Sequence, residues 1–307
     1  MDFRSTSTGR RQSWYGLKRY VKGALGSRPG HVLLRLAVRA RPALGRTGRL
    51  PAPSHLKEVR GSVAGTSFVM LRPDRCVIAK ELYWGGGHRP HAEDDNALAI
   101  FTALARDADV MLDVGAYTGI FTLVSTAVNP ALRAEAFEIV PAVVELLREN
   151  CERNGVADRV TIHHVGLGEE AGSVTLPVGE GGSALPDFYS TRLRFAEGVA
   201  VPVRTLDEAT REIGSGTRVV MKIDVEGTEA EILRGGRAFL ERIRPDIVCE
   251  VLAGAGDGPG LEEVLAPFGY RIFLIEEAGV CESAHIVPDA RFRDWLFTVR
   301  ATLGLPV

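Results

Sequence analysis

The sequence predicts an α/β fold: a Rossmann-like, doubly wound and mostly parallel sheet, entered through an N-terminal β-hairpin. Three observations predict it. From about residue 92, short apolar runs alternate with stretches of helical spacing, the order that builds a parallel sheet covered by helices. One apolar run, Met111-Leu112-Asp113-Val114, passes directly into a turn containing Gly115 and Gly119 and then into a helix. The chain has 307 residues with 45% hydrophobic content, enough for one large domain plus an appendage, and it shows no internal repeat.

The elements follow in order. Before residue 60, Gly, Pro, Arg and Ser are scattered between short apolar patches such as Trp14-Tyr15 and residues 32–38. This stretch reads as a basic extension, partly disordered or forming short helices, with 51–56 as a linker. The β-rich runs 62–71 and 76–82, around Arg72-Pro73-Asp74-Arg75, predict the hairpin. Helical spacing over 96–106 is followed by a strand at 110–114, a helix at 120–127, a strand at 134–139 and a helix at 141–154. After a strand at 160–164 comes an irregular insertion, 166–216. The pattern then resumes with a strand at 219–223, a helix from Thr228, a strand at 247–251, a helix at 261–268 and strands at 270–275 and 295–300. The division is therefore 1–60 for the extension and 61–307 for the α/β domain.

The net charge of −2 conceals an asymmetry. Residues 1–60 carry 14 Lys and Arg against Asp2 and Glu58, which leaves 23 basic and 37 acidic residues in 61–307. A basic, apolar-interleaved front end suits an anionic membrane surface, although the composition reads first as a solvated, partly disordered tail. Nucleic acid would match the charge, but no recognised binding module accompanies it. Cys76, Cys151, Cys249 and Cys281 are widely spaced, with no CxxC pair or zinc spacing, as expected of reduced thiols in a cytoplasmic protein. The best candidate apolar run, 32–38, is short and broken by Arg35, so neither a transmembrane span nor a signal-peptide core is expected.

The candidate ligand loop is Asp113-Val114-Gly115-Ala116-Tyr117-Thr118-Gly119. Glycines there let backbone approach a ligand, and ligands of doubly wound sheets bind at the carboxyl ends of strands. A dinucleotide fingerprint needs Gly-x-Gly-x-x-Gly, whereas this loop has Gly115-x-x-x-Gly119 with Tyr117 between. Asp113 puts a carboxylate before the turn, unfavourable to pyrophosphate but suited to a ligand carrying an ammonium and a sulfonium. Glu138, ending the next strand, can accept hydrogen bonds from ribose hydroxyls. Together these favour S-adenosylmethionine over a nicotinamide dinucleotide.

With these residues placed, the sequence resembles the FkbM family of methyltransferases. The segment carrying the resemblance is Met221-Lys222-Ile223-Asp224-Val225-Glu226-Gly227-Thr228-Glu229, supported by Phe137-Glu138, Thr205-Leu206-Asp207 and Arg244-Pro245. Tyr117 and Ile139 depart from the family's usual Asn and Pro. The resemblance implies a class I methyltransferase fold and methyl transfer, usually to a hydroxyl on a sugar or natural product. An N-methyltransferase, or a cofactor-binding protein without turnover, is the alternative.

Alternation along a strand puts Lys222 and Asp224 on one face, with Glu226 in the following loop and Glu229 in the next helix. Asp224 is the candidate base or acceptor ligand, with Glu226 and Lys222 as further catalytic candidates. The competing reading makes Lys222–Asp224 a salt bridge and lets Glu226 or Glu229 cap the helix. Glu250, ending the following strand, is a similar candidate. Asp224 with Glu250 could instead hold a divalent metal, although nothing in the spacing requires one. His163 and His164 end the third strand near an adenine position, and a structural role suits them better than that of a base. His88 and His91, beside Gly85-Gly86-Gly87, mark either a lid or a plain connection, and 183–192 could shape an acceptor pocket.

Overall fold

Two positive-φ residues decide how the chain enters its fold. Ala64 (φ 46°) and Gly65 (φ 80°) form a two-residue turn of the kind that matches the natural twist of paired strands. They join β1 (Glu58–Val63) to β2 (Thr66–Leu71). The hairpin exists, therefore, but its second strand is not 76–82. That segment is a helix, because the Cys76 thiol caps the Ala79 amide at 3.3 Å and Ala79 and Leu82 recur at helical spacing on the buried side. The computed structural model describes residues 24–41, 44–45, 50–176, 198–254 and 256–305.

The described residues fall into two compact units, one within Met1–Gly61 and Met70–Pro90, the other within Ser62–Val69 and His91–Val307. The first holds α1 (Arg28–Ala40) and α2 (Val77–Trp84). Helix α1 starts at Ser27, whose hydroxyl accepts from the Gly30 amide, with Pro29 in its first turn. His31 lies buried beneath it, shares a 2.6 Å hydrogen bond with Tyr83 and packs against Trp84. Among the described residues no helix is long and apolar enough to cross a membrane.

In the second unit α3 (Ala92–Ala105) precedes β3 (Val110–Val114), and α4 (Ile120–Val128) leads to β4 (Arg133–Phe137). Next come α5 (Pro141–Arg153) and β5 (Val160–His163). The stretch expected to be irregular supplies a small sheet of β6 (Gly166–Gly168), β7 (Gly172–Leu176) and β8 (Val199–Thr205), ordered β6-β8-β7. Thr205 and Glu208 then make a reciprocal cap on the short α6 (Leu206–Ala209). The 183–192 stretch proposed to shape a pocket lies outside the described residues.

The chain continues through β9 (Val219–Ile223), α7 (Glu229–Arg234), α8 (Arg237–Ile243) and β10 (Asp246–Glu250). It ends with α9 (Gly258–Leu265), β11 (Arg271–Glu276), β12 (Gly279–Ser283) and β13 (Asp294–Thr298). The main sheet runs β12-β11-β13-β10-β9-β3-β4-β5. Strands β5, β4, β3, β9 and β10 are parallel, and β13 is antiparallel to both its neighbours, β10 and β11. This is the doubly wound Rossmann-like sheet expected, with an antiparallel edge.

Period-two alternation splits the core. Leu112, Met221 and Cys249 pack on one face, Met111, Val220 and Val248 on the other, which is why β9 and β10 are buried along their whole length. The chain winds from β3 towards β5 in one direction and from β9 outward in the other. The strand order thus reverses between β3 and β9, and the crevice outside the carboxyl ends of strands at such a reversal is where doubly wound sheets bind ligands. Cys76, Cys151 and Cys249 are buried free thiols, and Cys281 is exposed.

Candidate active site

The loop after β3 is shaped by what presses on it. Gly115 (φ 79°) lies so close to the next loop that a Cβ would sit 1.9 Å from the Asp224 carbonyl oxygen. At Gly119 (φ 87°) a Cβ would meet the Leu147 side chain at 2.3 Å. Tyr117 between them also takes a left-handed conformation (φ 48°), a costly one for a bulky residue. It is stabilised because the Tyr117 amide donates to Glu138 Oε2 at 2.9 Å.

The Glu138 carboxyl collects a second amide as well, Val140 N to Oε1 at 2.8 Å, so it ties the loop after β3 to the loop after β4. It remains 7% exposed at the crevice, and burial pushes its pKa up to about 7 against the pull of the amides. Each oxygen has further lone pairs to offer a ligand.

Asp113 lies elsewhere than a ligand-facing reading requires. Its carboxylate is 1% exposed and turned into the protein, where Oδ2 accepts from the Thr122 amide (3.1 Å) and hydroxyl (2.6 Å). Asp113 is two residues from Met111 and shares its face, so it points at α4, not at the crevice. Burial pushes its pKa up to about 6, with Thr122 opposing. It fixes the start of α4 and so the turn that Gly115 and Gly119 define.

The second half of the site follows β9. Lys222 is 2% exposed, donates to Asp294 Oδ1 at 2.9 Å and lies 3.7 Å from Asp224 Oδ2. Burial opposes its charge, but Asp294, Asp224 and Glu250 outweigh that cost and hold the ammonium above its ordinary range. Lys222 is the centre of an ion-pair network and a poor proton donor. Beside it the Glu250 and Asp224 carboxyls share a hydrogen bond, and burial followed by the Asp224 charge drives Glu250 well up. Arg293 closes the group, reaching Glu250 Oε1 at 3.0 Å and Asp94 Oδ1 at 3.3 Å.

Glu226 lies in the loop, exposed and at φ 62°. Glu229 is buried; its Oε1 accepts from the Gly227 amide at 2.8 Å, while Oε2 has no partner among the described residues. It therefore braces the turn carrying Glu226. The structure thus brings Lys222, Asp224 and Glu250 together and sets Glu226 at the rim.

His163 stacks on Phe137 (4.7 Å, 12°) and bonds Glu135 at 2.6 Å, and His164 bonds the Ile139 carbonyl at 3.0 Å. Both have structural partners. His91 caps α3 without a side-chain bond, and Gly85 ends α2. Sequence reasoning missed Asp94, Arg293 and Asp294. Asp294 reaches the site because the antiparallel register sets it opposite Glu250, and no linear spacing announces that pairing.

A Rossmann-like sheet, a glycine loop at its point of reversal and an acid ending the adjacent strand make the arrangement in which doubly wound folds hold nucleoside-type ligands, here beside a charged second loop. The chain belongs to the FkbM methyltransferase family: a model of the methyltransferase FkbM domain matches residues 113–272. "Methyltransferase 1" of Beauveria bassiana is 28% identical over 184 residues, covering 54% of this chain and 74% of that protein. The "31-O-demethyl-FK506 methyltransferase FkbM" of Streptomyces tacrolimicus is 30% identical over 175 residues, 48% of this chain and 66% of its own. Among solved structures, the methyltransferase FkbM of Methylobacillus flagellatus KT aligns with TM-score 0.42 and 20% identity over 62% of this chain and 44% of that one. The chain is a methyltransferase.

Proposed function

We propose that the chain is an S-adenosylmethionine-dependent O-methyltransferase acting on a hydroxyl of a small molecule, a sugar or a secondary metabolite. The observation that carries this reading is the contact between the two loops. The Asp224 carbonyl touches Gly115, so the Asp224 carboxylate stands next to the loop that would hold the methyl donor. Two features suit that donor: Glu138, nearly buried and held by two amides, has lone pairs left for ribose hydroxyls, and it ties the loop after β3 to the loop after β4. When bound, S-adenosylmethionine supplies a methyl on a sulfonium, which leaves as a neutral thioether.

The chain's own residues do the remainder. Asp224 accepts the hydrogen bond of the acceptor hydroxyl, orients its oxygen at the methyl and takes its proton as the new carbon–oxygen bond forms. Glu250 and Lys222 position the Asp224 carboxylate, the first by the shared hydrogen bond and the second by charge. The relative named for 31-O-demethyl-FK506 supports an oxygen acceptor.

Calorimetric titration with S-adenosylmethionine and S-adenosylhomocysteine, followed by transfer of labelled methyl to a panel of polyols and amines, tests the proposal. Binding of both ligands with label on an oxygen is expected, and Asp224→Asn should lower kcat by about a hundredfold or more with the cofactor Kd little changed. Failure of both ligands to bind up to millimolar concentration overturns the cofactor reading, and label on nitrogen alone overturns the acceptor.

A further inference from the structure

Helix α1 presents an unusual surface. His31 faces inward and is buried, with Leu34 and Val38 half-buried on the same side. Opposite them Val32, Leu33 and Leu36 are 60%, 68% and 59% exposed. At helical spacing these three form one stripe, continued by the exposed Ala37 and Ala40. Arg28, Arg35 and Arg39 stand together along one edge of it, all exposed. The helix contains no acidic residue, and from Phe3 to Lys57 the sequence has none at all.

Large aliphatic side chains left in water beside a row of like charges need a partner both apolar and anionic. We infer that α1 is an interfacial helix that docks this chain on an anionic phospholipid bilayer, with Val32, Leu33 and Leu36 entering the acyl boundary and Arg28, Arg35 and Arg39 on the lipid phosphates. At 13 residues the helix is far too short to span a bilayer and lies in its plane. A second copy of the chain fits less well, because a two-fold contact between α1 helices would bring each arginine row towards its own copy. The preceding sequence adds Lys18, Arg19 and Lys22 with Trp14 and Tyr15, residue types that favour the headgroup layer.

Co-sedimentation of the full chain with large vesicles tests this, using phosphatidylcholine alone and phosphatidylcholine mixed with phosphatidylglycerol. Binding is expected only to the mixed vesicles and should weaken with added salt. The variant Arg28→Gln/Arg35→Gln/Arg39→Gln should lose affinity by roughly fivefold per arginine. The variant Val32→Ser/Leu33→Ser/Leu36→Ser should lose binding although every charge is kept. All six positions are exposed, so the fold has no stake in them; S-adenosylhomocysteine titration and thermal unfolding of both variants provide the check. No binding of the parent chain to mixed vesicles overturns the inference. So does full binding by the serine variant, which would assign the attraction to charge elsewhere in the extension. A parent chain that is dimeric by light scattering and becomes monomeric in the serine variant, without vesicle binding, would assign the stripe to a second copy.

Discussion

Lowering the pH should weaken cofactor binding through Glu138, and the size of the effect follows from its surroundings. The carboxyl is 7% exposed, receives two backbone amides and has its pKa pushed up to about 7 by burial. The ionised form is the better acceptor for ribose hydroxyls, so below that pKa a proton must leave before the full contact forms. The apparent Kd then rises as one plus the ratio of protonated to ionised Glu138. Between about pH 8.5 and about pH 6.5 that is roughly a fourfold loss of affinity. Stability moves in the opposite sense. The folded pKa lies above the ordinary carboxyl value of 4.5, so stability present at low pH is lost as pH rises through about 7. The ligand-free protein should therefore be about 1 kcal/mol more stable near pH 6 than near pH 8 on this account. Titration calorimetry with S-adenosylhomocysteine across that range, on the parent and on Glu138→Gln, reads the first effect. The glutamine variant should bind more weakly throughout and show a flat profile. A profile equally steep in the variant would refute the assignment of the titrating group.

Gly115→Ala should abolish measurable cofactor binding and cost about 1–3 kcal/mol in urea unfolding, because the new methyl would lie 1.9 Å from the Asp224 carbonyl at a φ of 79°. Lys222→Met leaves the largely buried Asp294 and Glu250, and the part-exposed Asp224, around an absent cation, and chemical denaturation should show a loss of about 3–5 kcal/mol. Asn154 pairs with both backbone groups of Val69, accepting from its amide at 2.8 Å and donating to its carbonyl at 2.7 Å. Asn154→Ala should cost about 1–3 kcal/mol by unfolding and speed hydrogen exchange at Val69, with the pH profile of cofactor binding unchanged.

The central strands were legible because nothing competes with their pattern. Val110–Val114 and Val219–Ile223 are short apolar runs buried on both faces, bounded by polar or glycine residues, and the predicted bounds match. The hairpin was misplaced because Arg72-Pro73-Asp74-Arg75 has stronger turn chemistry than Ala64-Gly65, whose turn depends on the pairing of the strands beside it. Residues 76–82 read as strand because Val77 and Ile78 are β-branched, yet both sit in the first helical turn, where that cost is small. Glu138 and Asp224 were legible as strand-end acids. The inward turn of Asp113 is also present in the sequence, in its two-residue offset from Met111, while its charge beside a glycine loop points by residue chemistry to a ligand. Asp94, Arg293 and Asp294 join the site through the packing of α3 and the antiparallel return of β13, long-range pairings that leave no local signal.

The hydrogen atom that stands in for a side chain at Gly115 has a consequence for anyone seeking to redirect this catalyst. The loop proposed to hold the donor and the loop carrying Asp224 meet there backbone to backbone, with no spacer to absorb movement. Under the proposed function, a ligand that shifts one loop should shift the other, so donor and acceptor affinities should be measured jointly and not as separate constants. Substitution has room at the exposed Glu226 and none at the seam between Gly115 and Asp224.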